Sequence, residues 1–340
     1  MPGRLSDVAQ KVGVSEATVS RVLNNKPGVS QATRDAVLTA LDILGYERPT
    51  KLRGDRSRLV GLVLPELVNP IFPAFAEVVG GALVQQRFTP VLCTRSAGGI
   101  TEQEYVDLLL DQHVSGVIFV GGLFSERQAN HDHYRRLAGV SLPVVLINAA
   151  VESIAFPRVC CDDKLASWQA LTHLRELGHE RIGVLLGPQD HVPSHLKLEG
   201  AIEWSRQVGQ PIDLVVNSQY SIEAGQASVA KLLAEGATGI MCASDMLALG
   251  AIRGVKKAGL RVPTDISVVG YDDSALMNST EPPLTTVRQP IEPIGRTAVE
   301  ILTRLIDGQT LEVEELLFEP ELVVRGSTAS CPDVTNVTIR

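Results

Sequence analysis

Two hydrophobic rhythms alternate along most of the chain. Short continuous apolar runs bounded by Gly and Pro, such as Val60-Gly61-Leu62-Val63-Leu64-Pro65 and Pro143-Val144-Val145-Leu146-Ile147, are separated by longer amphipathic stretches at 74–86, 102–112, 164–177, 223–234 and 246–258. Runs without a polar face fit strands buried on both sides, and the amphipathic stretches fit helices covering a sheet. A parallel α/β sheet is predicted. The pattern also repeats. Val60 to Pro65 recurs as Ile182-Gly183-Val184-Leu185-Leu186-Gly187-Pro188, Ser115-Gly116-Val117-Ile118 as Thr238-Gly239-Ile240-Met241, and Pro143 to Ile147 as Ile266-Ser267-Val268-Val269-Gly270, at offsets of 122 or 123 residues. Ligands of open parallel sheets bind beyond the carboxyl ends of the strands, so two facing copies predict a cleft.

The first 47 residues follow a different rhythm, that of three short helices. Ser6 is placed to cap a helix ending near Val12, Gly13 to make a turn, Ser15 to cap a second helix to about Leu23, and Ser30 a third that stops at Gly45. Ala9, Gly13 and Val19 supply a small residue at a helix crossing, a turn residue tolerant of positive φ and a β-branched core residue. Those are the signals of a helix-turn-helix with a supporting helix.

Composition narrows the class. With 44% hydrophobic and 21% charged positions among 340 residues, the chain can bury a sizeable core and suits two or three domains. No window reaches the ~18 uncharged apolar residues a bilayer span needs, and MPGRLSDVAQKVGVS lacks the apolar stretch of a secretory signal. A cytoplasmic chain without membrane contact is expected. The five cysteines, Cys93, Cys160, Cys161, Cys242 and Cys331, show no zinc-ligand spacing, which fits a reduced compartment. Neither copy carries a G-x-G-x-x-G or a G-x-x-x-x-G-K-[ST] phosphate loop, so no cofactor is expected. The net charge is −8, yet residues 1–58 carry ten Lys/Arg against six Asp/Glu, with the excess in the run from Arg48 to Arg58. A basic segment behind a helical head fits contact with a polyanion, and also a solvated linker; together with the helix-turn-helix signals it favours DNA binding.

These residues carry a family resemblance. The run Leu5-Ser6-Asp7-Val8-Ala9-Gln10-Lys11-Val12-Gly13-Val14-Ser15-Glu16-Ala17-Thr18-Val19-Ser20-Arg21-Val22-Leu23-Asn24, followed by Thr33-Arg34 and Leu44-Gly45-Tyr46, resembles the LacI/GalR family of bacterial repressors. The likeness continues through Asn69-Pro70-Ile71-Phe72, Gly178-His179-Glu180-Arg181-Ile182-Gly183, Ser244-Asp245-Met246-Leu247-Ala248-Leu249-Gly250-Ala251 and Ile266 to Asp273, over roughly residues 4 to 328. Within that family, residues 44–50 and 64–73 are similar to the maltose and amylase gene regulators of actinomycetes. The resemblance implies a small all-α helix-turn-helix domain at 1–47, a basic linker at 48–58 and a periplasmic-binding-protein-like α/β domain at 59–330, with 331–340 as a tail. One parallel-sheet lobe is expected over about 59–158 and 288–318, the other over about 159–287 and 319–330. The larger domain is expected to bind effector and to dimerise.

The first turn of the second helix points into the major groove in such heads, which directs Glu16, Ala17 and Arg21 at bases. Arg21 can fork onto guanine or hold a phosphate, and Glu16 can accept from cytosine or complement the helix dipole. Ser15 and Thr18 suit phosphates, and Asn24 either a phosphate or the helix end. In the linker the chain departs from the family, whose longer segment contains Ala-Arg-Ser-Leu with a leucine that wedges into the minor groove. Here fourteen residues separate Tyr46 from Gly61, leaving Leu52 as the apolar candidate, beside Arg53. Gly54 and Asp55 oppose a long hinge helix.

A sugar site needs an aromatic face, carboxylates or amides for hydroxyls, and a cation. Ile71 and Phe72 follow the first strand of one copy, and His191, Pro193, His195 and Lys197 that of the other. By resemblance Asn148, Tyr220, Asp245 and Asp272 complete the rim, with Lys197 where most of the family carries Arg. Phe72 also suits the core, Tyr220 the surface, and Asp162 and Asp163 the cap of the next helix. His191 and His195 lie four apart like metal ligands, but Pro193 breaks the regular helix such a pair needs, and no metal is expected.

The combined expectation is a non-enzymatic repressor, binding a near-palindromic DNA operator as a homodimer and controlled by a small sugar, possibly a maltooligosaccharide. The alternatives are a repressor answering to a purine or other non-sugar metabolite and, in a different class, a cytosolic sugar-binding or sugar-metabolising protein. The head opposes a transport component, and no G-x-S-x-G or H-E-x-x-H supports an enzyme. The tail STASCPDVTNVTIR has no leucine heptad, so the expected assembly is a dimer and no larger.

Overall fold

The computed structural model describes residues 5–23, 26, 28–43, 58–95, 98–311 and 314–331, and the chain divides into two units between Arg58 and Leu59. In the first unit α1 (Leu5–Val12), α2 (Glu16–Leu23) and α3 (Gln31–Ile43) close on a core that includes Val8, Ala9, Val19, Val22, Val37 and Leu41. Gly13 turns the chain between α1 and α2 at φ +73°, a conformation open to glycine at little cost. Ser15 Oγ accepts the Thr18 N–H at 3.2 Å, and Ser30 Oγ accepts the Thr33 N–H at 3.2 Å. Both anticipated caps therefore close a first turn. Ser6 does not, because α1 already begins at Leu5 and Ser6 stands within its first turn. Gly45 and linker residues 48–57 lie outside the described residues.

The second unit runs through β1 (Leu59–Leu64), α4 (Ile71–Gln85), β2 (Thr89–Thr94), α5 (Glu102–Asp111), β3 (Gly116–Val120), α6 (Asp132–Gly139), β4 (Val144–Ile147) and β5 (Arg158–Cys161). It continues with α7 (Asp163–Glu176), β6 (Ile182–Leu186), α8 (Val192–Val208), β7 (Leu214–Asn217), α9 (Ile222–Ala234), β8 (Gly239–Cys242), α10 (Asp245–Lys257) and β9 (Ser267–Asp272). Last come β10 (Thr285–Arg288), α11 (Ile291–Ile306), β11 (Glu315–Phe318) and β12 (Glu321–Val323). Two six-stranded sheets result, in the orders β11-β5-β4-β3-β1-β2 and β12-β10-β9-β8-β6-β7. Every pairing is parallel except that of β12 with β10. The sequence repeat is thus a repeat of topology. In both sheets the order reverses between the first and third strands of the copy, which is where such sheets open a ligand crevice.

Every residue of β3, β4, β6, β8 and β9 is buried, which is why β3, β4, β6 and β8 carry unbroken apolar runs and β9 does so between Ser267 and Asp272; the edge strands β2 and β7 are partly exposed. The chain crosses between the lobes three times, after β5, after β10 and after β11. The anticipated lobe boundary near 158 falls at β5, which pairs in the first sheet with β4 and β11 through Cys161. In the second lobe α9 and α10 pack backbone to backbone. A Cβ on Gly250 would stand 2.2 Å from the Ile222 carbonyl oxygen, and one on Gly225 would stand 2.5 Å from that of Leu247.

Candidate functional site

In the head, Ser15, Glu16, Ala17 and Arg21 are exposed and Thr18 is half-buried, its hydroxyl 2.9 Å from that of Ser15. Ala17 and Arg21 lie one turn apart on a single face of α2, opposite the buried Val19 and Val22. Glu16 opens the helix, where its charge meets the positive end of the dipole. Asn24, Leu52 and Arg53 lie outside the described residues.

In the second unit a cavity of about 370 Å³ opens at the carboxyl ends of strands from both sheets. One wall carries Ile71, Phe72 and Phe75 from the start of α4, Arg95 after β2, Gly121 and Gly122 after β3, and Asn148 after β4. The other carries His191, Pro193 and Lys197, Tyr220 after β7, and Tyr271 with Asp272 at the end of β9; Gln289 lies on a crossing between the lobes. Glycine makes room for the rings. A Cβ on Gly187 would stand 2.0 Å from Tyr220 Cζ, and one on Gly121 would stand 3.1 Å from Phe72 Cε1.

Backbone strain marks the same place. Arg87, His113 and Ser141 have positive φ where helices end, as left-handed closing residues do. The other such non-glycine residues are Asn148 at φ +108°, Asp272 at +124° and Asp273 at +56°, none of them at a helix end. Strain of that kind persists where the surroundings over-determine it, commonly at ligand sites. Asp272 Oδ1 accepts from Gln289 Nε2 at 2.7 Å, and Oδ2 has no protein donor among the described residues. Burial, and then repulsion from Asp245, push the Asp272 carboxyl well above the usual range, against the Gln289 hydrogen bond and the nearby Lys197. The Asn148 amide nitrogen and the Arg95 guanidinium likewise keep donors without protein partners among the described residues.

The head, residues 4–49, matches the family described as bacterial regulatory proteins, lacI family, and residues 171–328 match a periplasmic binding protein-like domain. The transcriptional regulator MalR of Streptomyces coelicolor is 49% identical over 98% of both chains. The chain belongs to the LacI family. Two solved structures agree with this LacI-family membership: the regulator CelR in complex with cellobiose is 34% identical with a TM-score of 0.73, covering 96% of this chain and 99% of that one. The Lac repressor dimer bound to operator and the anti-inducer ONPF is 30% identical with a TM-score of 0.71, covering 97% of this chain and all of that one. The protein is accordingly a DNA-binding transcriptional regulator. Among the described residues, no helix is long and apolar enough to cross a membrane.

Of the residues that the sequence placed in this LacI-family cleft, Ile71, Phe72, Asn148, His191, Pro193, Lys197, Tyr220 and Asp272 line the cavity, while His195 and Asp245 do not. Pro193 and Lys197 lie one turn apart on α8 and face inward; His195, two positions from each, is carried to the other side of the helix. Asp245 opens α10 with its side chain turned into the lobe. Its Oδ1 accepts from Thr286 Oγ1 at 2.6 Å and its Oδ2 from the Ser274 N–H at 2.8 Å, and burial pushes its carboxyl up to about 6. Lys197 is not a free cation either, since its ammonium is paired with Asp163 and stands 3.8 Å over the Tyr271 ring. Burial opposes that charge, but Asp163, Tyr220 and Asp272 outweigh it and hold the ammonium above the usual lysine range. Asp163 also accepts from the Tyr271 hydroxyl at 3.0 Å, leaving Asp162 to cap α7 through the Leu165 N–H at 3.0 Å. Sequence reasoning missed Glu66, Arg95, Glu126 and Gln289, all of which follow strand carboxyl ends or lie on loops after them, where ligand residues gather.

Proposed function

We propose that the protein is a repressor that binds a near-palindromic operator as a homodimer and answers to a glucose oligosaccharide of the maltose series bound between its lobes. The observation that carries the ligand reading is Asp272, held at φ +124° with one oxygen anchored by Gln289 and the other free, in a cavity walled by Phe72, Tyr220 and Tyr271. Aromatic faces cover the C–H surface of a pyranose, and a fixed carboxylate oxygen, an amide donor from Asn148 and the Arg95 guanidinium serve its hydroxyls. The volume falls at the lower end of the roughly 300–1,000 Å³ of small-molecule sites. Cellobiose in the CelR relative and the likeness of residues 44–50 and 64–73 to maltose and amylase gene regulators favour a glucose oligosaccharide.

In the head, Arg21 and Ala17 are proposed to face bases, Ser15 and Thr18 phosphates, and Leu52 with Arg53 to engage the minor groove behind them. Two heads reach half-sites about 34–36 Å apart or a multiple of that, so a ligand that alters their separation alters operator affinity. Calorimetry with maltose, maltotriose and a purine tests the ligand class. Wild type is expected to bind the maltose-series sugars, and Asp272→Asn to lose that binding while its melting temperature stays within a few degrees. Undiminished binding by the variant removes Asp272 from the site, and tighter binding of the purine overturns the sugar reading.

A further inference from the structure

The loop at 121–126 brings Gly121, Ser125 and Glu126 to the cavity and also touches the opposite lobe. Glu126 and His191 form an antiparallel backbone bridge, the Arg127 N–H donates to the Asp190 carbonyl at 3.0 Å, and His191 Nε2 lies 3.5 Å from Glu126 Oε1. These contacts clasp one lobe to the other beside the cavity. Beneath the loop is a polar set with almost no exposure. Glu102 Oε2 accepts the Leu123 N–H at 3.3 Å, while Oε1 accepts from His133 Nε2 at 3.0 Å and from the Tyr134 hydroxyl. The Tyr134 oxygen accepts the Phe124 N–H at 3.0 Å, and Ser125 Oγ donates to the Ala149 carbonyl at 2.6 Å, next to Asn148. Gly122 lies at φ +124°, and a Cβ there would stand 2.7 Å from Glu102 Oε2, so the carboxylate occupies the room a side chain would take.

A buried carboxylate is costly, and two consecutive loop N–H groups, those of Leu123 and Phe124, end on Glu102 and on its partner Tyr134. We propose that Glu102 and Tyr134 are positioning residues for the effector site: they fix the 121–126 loop so that Glu126 meets His191, and this clasp sets how the two lobes close. The proposal rests on the cavity being the effector site.

The test uses the full chain with Tyr134→Phe, which keeps the ring between Phe119 and Phe124 at centroid distances of 5.2 and 6.1 Å and removes only the hydroxyl. Glu102→Gln is the second variant, in case the first destabilises the lobe. Without any sugar, amide hydrogen exchange is expected to rise about fivefold both in 121–127 and, across the clasp, in 188–193, with β1 unchanged. Maltotriose Kd is expected to rise by a similar factor, with a less than additive loss when Tyr134→Phe is added to His191→Ala, which keeps the two backbone contacts. Unchanged exchange in 188–193, exchange raised equally in β1, or fully additive losses in the double variant overturn the clasp. If wild type binds no maltose-series sugar, the ligand reading fails and the exchange experiment alone decides the clasp.

Discussion

Lys197 illustrates what decides a residue's role in this protein. Its position one turn after Pro193 is readable from the sequence, but its counter-ion Asp163 is 34 residues away and meets it only when α7 and α8 pack. Both side chains are 3% exposed, so removing one partner strands a buried charge. Lys197→Met is expected to cost about 3–5 kcal/mol in urea unfolding, with much of that recovered when Asp163→Asn is added; a loss below 1 kcal/mol would show the pair to be solvated. Asp272 and Asp245 were both placed at the rim by resemblance; Asp272 ends the buried β9 and reaches the cavity, whereas Asp245 opens α10 and turns its carboxylate inward to Thr286 and Ser274. In the head, Arg21→Ala is expected to weaken specific operator binding by about 1–3 kcal/mol and to relax preference at one position per half-site. A uniform loss across operator variants would instead assign Arg21 to phosphate.

Elements were legible where burial leaves a one-dimensional trace. The five fully buried strands carry apolar runs, broken only at Ser267 and Asp272 at the two ends of β9, and the repeat of those runs predicts two sheets. β11 and β12 leave no such trace, because Glu315–Phe318 and Glu321–Val323 alternate or expose their side chains at sheet edges. Helix starts were readable from Ser15 and Ser30 but not from Ser6, whose hydroxyl lies inside a turn that has already begun. Small residues carry a different message, visible only in packing. Gly250 lies where α10 meets the backbone of α9, and a Cβ would also stand 2.8 Å from the Gln226 nitrogen. Gly250→Ala is therefore expected to destabilise the second lobe by about 1–3 kcal/mol, since neither backbone can yield without moving a helix. Thermal unfolding checks this, and an unchanged melting temperature would mean that the two helices separate freely.

For the whole molecule, the family and the division into head and two-lobed body were readable from motifs spread over the full chain, whereas the cavity's chemistry needed three dimensions. The missed groups, Glu66, Arg95, Glu126 and Gln289, follow separate strands and meet only at the cleft. The central claim is that sugar in that cleft and DNA at the head are linked, and linkage is reciprocal. Its most direct test is fluorescence anisotropy of a labelled operator titrated with protein, with and without saturating maltotriose, for wild type and Asp272→Asn. Wild-type operator Kd is expected to change by about 5–150-fold on adding the sugar, while the variant binds operator normally and does not respond. An operator Kd untouched by saturating maltotriose, or an equal response from Asp272→Asn, would contradict it.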